Sequence, residues 1–274
     1  MNEAMALIAG PARILAGGTD LFPGVGERPL TGRIIDISRL PGLRGVVRVG
    51  DEIRIGAMTT WTDLVGADLP PAFDALRAAA REIGSVQIQN RGTLGGNLCN
   101  ASPAADGAPP LLIVDAEVEL VSRRGARRLP LAKFITGNRR TMLAADELLT
   151  AVVAPAPAPG ARASFLKLGA RRYLVISIAM VAVLLDVADD TVQDARIAVG
   201  ACSAVAQRLP RAEANLIGRK ADAALADALD PEHLAALAPI DDVRASADYR
   251  REAALVLVRR ALDACVRGEA GGIA

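Results

Sequence analysis

Short apolar runs separated by turn residues occupy the first part of the chain, which is the pattern of short strands. The runs at 12–16 and 34–37 each predict one strand. Those at 46–49 and 53–55 flank Gly50-Asp51-Glu52, a spacing that predicts a hairpin. The chain is therefore expected to begin with small β elements.

The apolar period lengthens after Pro71, where hydrophobic positions three and four residues apart predict a helix that ends at Gly84. Further on, residues 117–120 alternate in polarity before a predicted turn, and 148–153 predicts another strand. The intervening stretch at 91–106 holds too many Gly, Asn and Pro residues for a helix, so a loop inside the fold is expected there. This mixture predicts an α+β unit.

Alternating prolines at 154–160 mark a predicted domain boundary. Such a pattern favours an extended, stiff spacer that makes no ladder hydrogen bonds. We therefore expect a first domain at residues 1–160, with subdomains at about 1–50 and 51–160, and a second domain at residues 161–274.

A small antiparallel sheet with helices is predicted for the second domain. Strands are expected at 164–168, 181–187 and 195–201, with the last two joined through Asp189-Asp190. Three helical segments are expected after them, at 221–229, 231–238 and 246–266. The last helix shows one apolar face, so it should pack on the sheet.

Composition excludes several functions. The 32 Lys and Arg residues nearly balance 31 Asp and Glu residues, so no strong field attracts nucleic acid or an anionic membrane. The longest apolar run, 174–185, is shorter than the ~20 residues of a membrane helix. The first residues lack the basic segment of a signal peptide. We expect a cytoplasmic protein with neither a nucleic-acid partner nor a membrane span.

Side chains suited to catalysis or metal binding are few. Cys99, Cys202 and Cys265 are far apart and form no C-x-x-C pair, so each is expected to be a buried structural residue and not a metal ligand. His233, the single histidine, follows Pro231 and is expected on a helix surface. No G-x-S-x-G nucleophile motif occurs. Any redox or group-transfer chemistry would then come from a bound cofactor.

Two glycine pairs, Gly17-Gly18 and Gly95-Gly96, are candidates for anion binding. Glycine removes the side chain that would keep a ligand from the backbone, and successive N–H groups can form an anion-binding concavity. At about 1.5–3 kcal/mol for each charge-assisted hydrogen bond, a few such groups could hold a pyrophosphate without Lys or Arg. Neither stretch reads G-x-G-x-x-G or as a P-loop. Two tight turns without a ligand are the alternative.

Five segments in order along nearly the whole chain resemble the FAD-binding medium subunit of molybdenum hydroxylases, a group that includes the flavoprotein subunits of carbon monoxide, xanthine and nicotinate dehydrogenases. The segments are ILAGGTDL (14–21), IGSVQIQNRGTLGGNLCNASPAAD (83–106), DELL (146–149), FLKLGARR (165–172) and RASADYR (244–250). The resemblance implies an α+β architecture: a two-subdomain FAD-binding fold of the vanillyl-alcohol oxidase/PCMH type, followed by a small antiparallel sheet with helices.

The same resemblance implies a set of FAD-binding residues. The pyrophosphate would lie between the glycine-rich stretches 16–20 and 93–97, and Asp106 matches a position that contacts the cofactor. Ile83 and Leu148 match the apolar pair that encloses adenine. Lys167 matches a lysine near the flavin, and Ile176 a residue beside the isoalloxazine ring. The expected cofactor-binding residues are Ile14, Leu15, Ala16, Gly17, Gly18, Thr19, Asp20, Leu21, Ile83, Thr93, Leu94, Gly95, Gly96, Asn97, Asp106, Leu148 and Lys167.

Several of these residues also have explanations that need no ligand. By periodicity alone Ile83 and Leu148 suit the core, Asp106 could cap a helix, and Lys167 could be a solvated strand residue. The additional cysteine cluster of the hydroxybenzoyl-CoA reductase branch does not occur here, so no iron–sulfur centre or other metal is expected in this subunit. No catalytic side chain is expected either.

The function implied by the resemblance is electron transfer within a multi-subunit oxidoreductase. Electrons would leave a molybdopterin centre on a large subunit, cross two-iron two-sulfur clusters on a small subunit, and reach an external acceptor through FAD held by this chain. The second domain would dock on these partners or close over the flavin. Two alternatives remain: a stand-alone FAD-dependent oxidase, and a flavin-free assembly protein of the same fold.

Overall fold

The computed structural model describes residues 2–8, 10 and 12–269; the other residues of the two predicted domains lie outside the described residues. The helices are α1 (Asn2–Ile8), α2 (Leu21–Val25), α3 (Trp61–Gly66), α4 (Asp74–Glu82), α5 (Val86–Gln89), α6 (Leu94–Asn100), α7 (Ala108–Leu112), α8 (Leu131–Phe134), α9 (Pro210–Leu216) and α10 (Ala247–Arg267). The strands are β1 (Arg13–Leu15), β2 (Ile34–Asp36), β3 (Val46–Val49), β4 (Glu52–Gly56), β5 (Glu117–Ser122), β6 (Gly125–Pro130), β7 (Ile135–Gly137), β8 (Arg140–Thr141), β9 (Leu148–Pro155), β10 (Arg162–Leu168), β11 (Ala179–Ala188), β12 (Thr191–Gly200) and β13 (Gln207–Arg208).

A five-stranded antiparallel sheet with strand order β3-β4-β9-β5-β6 forms the centre of the first domain. Val152 of β9 pairs with Ile55 on one side and with Val118 on the other. Residues of β9 before Pro155 are all buried, because neighbouring strands and the packed helices cover them. The predicted strand at 148–153 and the predicted hairpins are confirmed.

The first strands form a separate two-stranded parallel pair, in which Arg13 of β1 pairs with Ile34 of β2. A small core that includes Ile35, Leu43 and Leu148 connects this pair to the larger sheet. The expected subdomain division at about residue 50 passes through the turn of the β3-β4 hairpin, so β3 belongs to the larger sheet. Hairpin register overrides the division inferred from sequence spacing.

The second sheet is antiparallel, as expected, with order β10-β11-β12-β13, and it is covered on both faces. Side chains alternate along β11: Met180 and Leu184 join the core of α4, whereas Val181 and Val183 pack with α10. One hydrophobic core therefore continues across the predicted boundary. The first two residues of the predicted spacer, Ala154 and Pro155, belong to β9, where an end position tolerates proline.

Three helix predictions in these regions were inaccurate. The expected loop at 91–106 contains α6, whose amino end is capped by the Thr93 hydroxyl accepting the Gly96 amide. The expected helices at 221–229 and 231–238 contain only short 3-10 turns, Leu225–Ala228 and Pro231–Leu234. Leu229 and Asp230 are extended, because the residue before a proline is excluded from helical backbone angles.

The long C-terminal helix is confirmed, and its ends have clear causes. Ser246 accepts the Tyr249 amide at the amino end, and Gly268 ends α10 in the left-handed region at φ 71°. Among the described residues, no helix has both the length and the apolar content needed to cross a bilayer. The same part of the chain contains no cluster of three or more His, Cys, Asp or Glu side chains arranged to hold a metal ion.

Candidate functional site

A cavity of about 840 Å³ lies beside α2, α6 and the start of β9. It falls within the 300–1,000 Å³ range of small-molecule sites. All of the expected cofactor-binding residues line it except Leu94, Asp106 and Lys167. Ile176 also lines it. Leu94 is fully buried in the hydrophobic core, because it is on the inner side of α6.

The two glycine-rich stretches meet at this cavity. A Cβ added to Gly17 would lie 1.9 Å from the carbonyl oxygen of Arg91, so the first stretch packs directly on the backbone that precedes α6. A Cβ added to Gly96 would lie 3.7 Å from the Cβ of Ala16. The sequence-based expectation that the two stretches converge is therefore confirmed.

The backbone amides of the two stretches differ in availability. In the first stretch, the amides of residues 17–20 have no hydrogen-bond acceptor among the described residues, and Gly18 has a φ of 76° that favours glycine. In the second, the amides of Leu94 and Gly95 donate to the carbonyls of Thr59 and Ala57, at 3.0 and 2.8 Å. The expectation of free amides in both stretches was thus wrong for these two positions, because α6 begins against the end of β4. The first stretch supplies the unpaired donors.

Asn97 on α6 has unfilled hydrogen-bonding capacity at the cavity. Its Oδ1 is buried and has no partner among the described residues. Such a group is costly unless a ligand or water completes it. Open glycine backbone, unpaired amides and this side chain together fit a bound dinucleotide.

The cavity walls include residues that the sequence analysis missed. Trp61 is 2% exposed and packs against Gly92 and Gly107, where an added Cβ would lie 3.1 and 2.7 Å from the indole. It directly follows Thr60, which forms a capping box with Asp63, and this helix start was a usable signal. Val175 and Leu174 reach the cavity from the second domain, a contact that sequence spacing does not reveal.

Glu147 places one negative charge at the wall next to Leu148. Its carboxylate accepts two hydrogen bonds from Arg127, at 2.6 and 2.8 Å, and one from the Ala144 amide at 2.9 Å. The Arg127 guanidinium is the main reason that the pKa of Glu147 is lowered. Glu147 is therefore ionised at neutral pH, and its position in the DELL segment could have indicated it.

Asp106 and Lys167 form a buried ion pair outside the cavity lining. Lys167 Nζ lies 2.6 Å from Asp106 Oδ2, and Ser177 Oγ donates to Asp106 Oδ1. Burial raises the pKa of Asp106, and the nearby Lys167 charge opposes that shift. The expected solvated position of Lys167 is wrong, since the side chain is 5% exposed. A cofactor contact for either residue stays a prediction.

Cys99 is exposed at the cavity, in contrast to its expected burial, because it projects from the open side of α6. The surrounding walls nevertheless raise the pKa of its thiol to about 12. Cys202 and Cys265 are buried as expected. His233 lies in the 3-10 turn of the second domain with its Nδ1 2.9 Å from Asp230 Oδ1, and it does not line the cavity.

Comparison with known proteins agrees with this geometry. Residues 1–157 match the family described as FAD binding domain in molybdopterin dehydrogenase, and residues 163–265 match the CO dehydrogenase flavoprotein C-terminal domain. The chain is 35% identical to the nicotine 6-hydroxylase medium subunit of Paenarthrobacter nicotinovorans, covering 92% of this chain and 88% of that protein. It is 32% identical to the carbon monoxide dehydrogenase medium chain of Hydrogenophaga pseudoflava, covering 96% and 93%.

A solved structure shows the same fold. Reconstituted CO dehydrogenase from Oligotropha carboxidovorans contains a chain that superposes with a TM-score of 0.90 at 30% identity, covering 97% of this chain and 94% of that one. Fold and site are thus those of an α+β FAD-binding protein. The chain belongs to the family of FAD-binding medium subunits of molybdenum hydroxylases, which makes it a subunit of an FAD-dependent oxidoreductase.

Proposed function

We propose that this chain holds FAD between the iron–sulfur clusters of a partner subunit and an external electron acceptor. When bound, FAD supplies the redox chemistry, and the protein supplies binding, orientation and electrostatics. The observation that carries the proposal is the convergence of the two glycine-rich stretches at one cavity, with unpaired amides at residues 17–20.

In this proposal the amides of the first stretch donate to the cofactor's pyrophosphate, because they are the unpaired donors at the junction. Gly96 keeps the opposite surface open for a close approach. Asn97 offers its side-chain amide to a polar group of the cofactor. Ile83 and Leu148 supply apolar walls for the adenine, and the remaining expected residues shape the same cavity.

The ionised Glu147 has a separate part in this arrangement. A carboxylate at the wall repels a phosphate, so the pyrophosphate is favoured at the other end of the cavity, near the first glycine pair. The charge thereby orients the dinucleotide along the cavity, with its adenine towards Leu148. This residue acts on cofactor binding and takes no part in proton transfer, since Arg127 already holds its carboxylate.

Titration of the purified chain with FAD tests the proposal. Trp61 is the only tryptophan and it lies in the cavity wall, so bound flavin should quench the intrinsic fluorescence in a saturable manner. The desalted protein should then be yellow. A protein that stays colourless and shows no saturable quenching would contradict FAD binding and favour the flavin-free assembly protein.

The proposed partners are a large molybdopterin-binding subunit and a small subunit with two-iron two-sulfur clusters, in a heterotrimer. The medium-subunit relatives and the CO dehydrogenase structures support such an assembly. Residues 161–274 are proposed as a second domain that docks on these partners, after a first domain at 1–160. The cytoplasmic location stays a prediction. Co-purification from the native source followed by metal analysis tests the assembly, and recovery of the chain alone would contradict it.

A further inference from the structure

The segment between β10 and β11 covers one side of the cavity. Leu174, Val175 and Ile176 line the cavity, although Leu174 and Ile176 are 53% and 57% exposed. The segment is irregular, and the branched Leu174 has a φ of 53° in the left-handed region. Arg171 donates to the Leu174 carbonyl at 2.6 Å. These residues have little apolar packing of their own, so something else must hold them at the cavity.

A buried charged cluster fixes the end of this segment. Ser177, which is fully buried, follows Ile176 directly and donates to Asp106 of the first domain. Asp106 is held in turn by Lys167 of β10, whose Nζ also lies 3.4 Å from the carbonyl of Glu82. The cluster therefore connects three places in the chain: the loop after α6, the end of β10, and the segment at the cavity.

The members of this cluster do not line the cavity. Breaking a buried ion pair leaves an uncompensated charge away from water, which makes the connection stiff. Because the charge is on the first domain and the segment belongs to the second, the cluster sets where residues 174–176 lie relative to the glycine-rich stretches.

We infer that Asp106, Lys167 and Ser177 form an anchor that positions residues 174–176 over the cofactor cavity. They act on cofactor retention through this segment, and not by contact with the cofactor. The retention part of the inference depends on the proposed FAD binding; the positioning part does not. The three are positioning residues.

Ser177→Ala is the decisive variant, because it removes one hydroxyl and leaves the ion pair in place. Ser164→Ala is its matched control: Ser164 is also fully buried, it is on β10 near Lys167, and its hydroxyl makes no hydrogen bond among the described residues. Two rates are measured on the full chain. The first is tryptic cleavage after Arg171 and Arg172 in the flavin-free protein, followed by mass spectrometry, and the second is FAD dissociation, followed by Trp61 fluorescence.

Ser177→Ala is expected to increase both rates about 10-fold, the factor that corresponds to losing one hydrogen bond to a charged group. Ser164→Ala should leave both within about twofold of the original protein. Equal cleavage rates in the two variants would overturn the anchor. If the chain binds no FAD, the proposed function fails, but the cleavage ratio still tests the positioning.

A third variant separates positioning from direct contact. Asp106→Asn keeps the shape of the side chain but removes the charge that holds Lys167. If it abolishes FAD binding without faster cleavage at Arg171 and Arg172, Asp106 contacts the cofactor directly and the inference is wrong. If cleavage and FAD dissociation increase together, as expected, the effect on the cofactor passes through the segment.

Discussion

Lys167→Met is expected to destabilise the protein in a pH-dependent manner. Methionine nearly preserves the length and apolar stem of lysine, so packing changes little while the positive charge is lost. Asp106 would then be buried beside Ser177 alone, with no compensating cation. Removing one partner of a buried ion pair costs about 3–5 kcal/mol. At roughly 2 °C per kcal/mol for a chain of this size, Tm should fall by about 6–10 °C at pH 8.

The loss should be smaller at low pH. Burial already raises the pKa of Asp106, and removal of Lys167 raises it further. Between the unfolded and the folded pKa, the folded protein binds a proton that the unfolded chain does not bind. Stability therefore falls as pH rises through this window, by about 1.4 kcal/mol for each pH unit. At pH 5 the protonated Asp106 needs no cation, so the variant should recover much of its stability.

Thermal unfolding followed by circular dichroism at pH 5 and pH 8 measures both effects. Lys133→Met is the matched control, since Lys133 is exposed on α8 and its loss should change Tm by less than about 2 °C. An equal loss of stability at the two pH values would refute the reasoning about Asp106. So would a Lys167→Met variant as stable as the original protein at pH 8.

Three further variants test the cavity and its walls. Gly96→Val should abolish FAD retention in isothermal titration with little change in Tm, because the added side chain enters the cavity; tight binding would contradict the proposed cradle. Gly17→Ala should lower Tm as well as FAD affinity, since its Cβ would collide with the Arg91 carbonyl; an unchanged Tm would show that the two stretches are not packed as described. Glu147→Gln should flatten the loss of stability at acid pH, because a lowered folded pKa contributes stability that is lost as pH falls. Urea midpoints from pH 3 to 7 measure this, and an unchanged acid slope would show that the Arg127 pair contributes nothing.

Strands of this fold could be predicted from the sequence more readily than its short helices. The alternation along β11 and β12 shows up in any short window, because every second residue must face the same core. In contrast, α6 contains Gly and Asn residues with poor helix propensity. It forms because Thr93 caps it and Gly95 allows close packing on Ala57, and only the second of these depends on distant parts of the chain.

The cofactor cavity was predictable as far as contiguous motifs define it. Gly17 and Gly96 are parts of such motifs, and the structure brings both to one cavity. The pairing of Asp106 with Lys167 joins residues 61 positions apart on different elements, so no local pattern encodes it. The same holds for the amides of α6, whose partners on β4 and beyond depend on tertiary packing.

The central position of β9 has a consequence for biosynthesis. Its two neighbours, β4 and β5, are translated earlier, and neither can pair across the gap until residues 148–155 have emerged. At about 5–20 residues per second, the interval between the end of β4 and the end of β9 is roughly 5–20 s. During that time the nascent chain presents two unfilled strand edges, so ribosome-associated chaperones have a defined period in which to shield them.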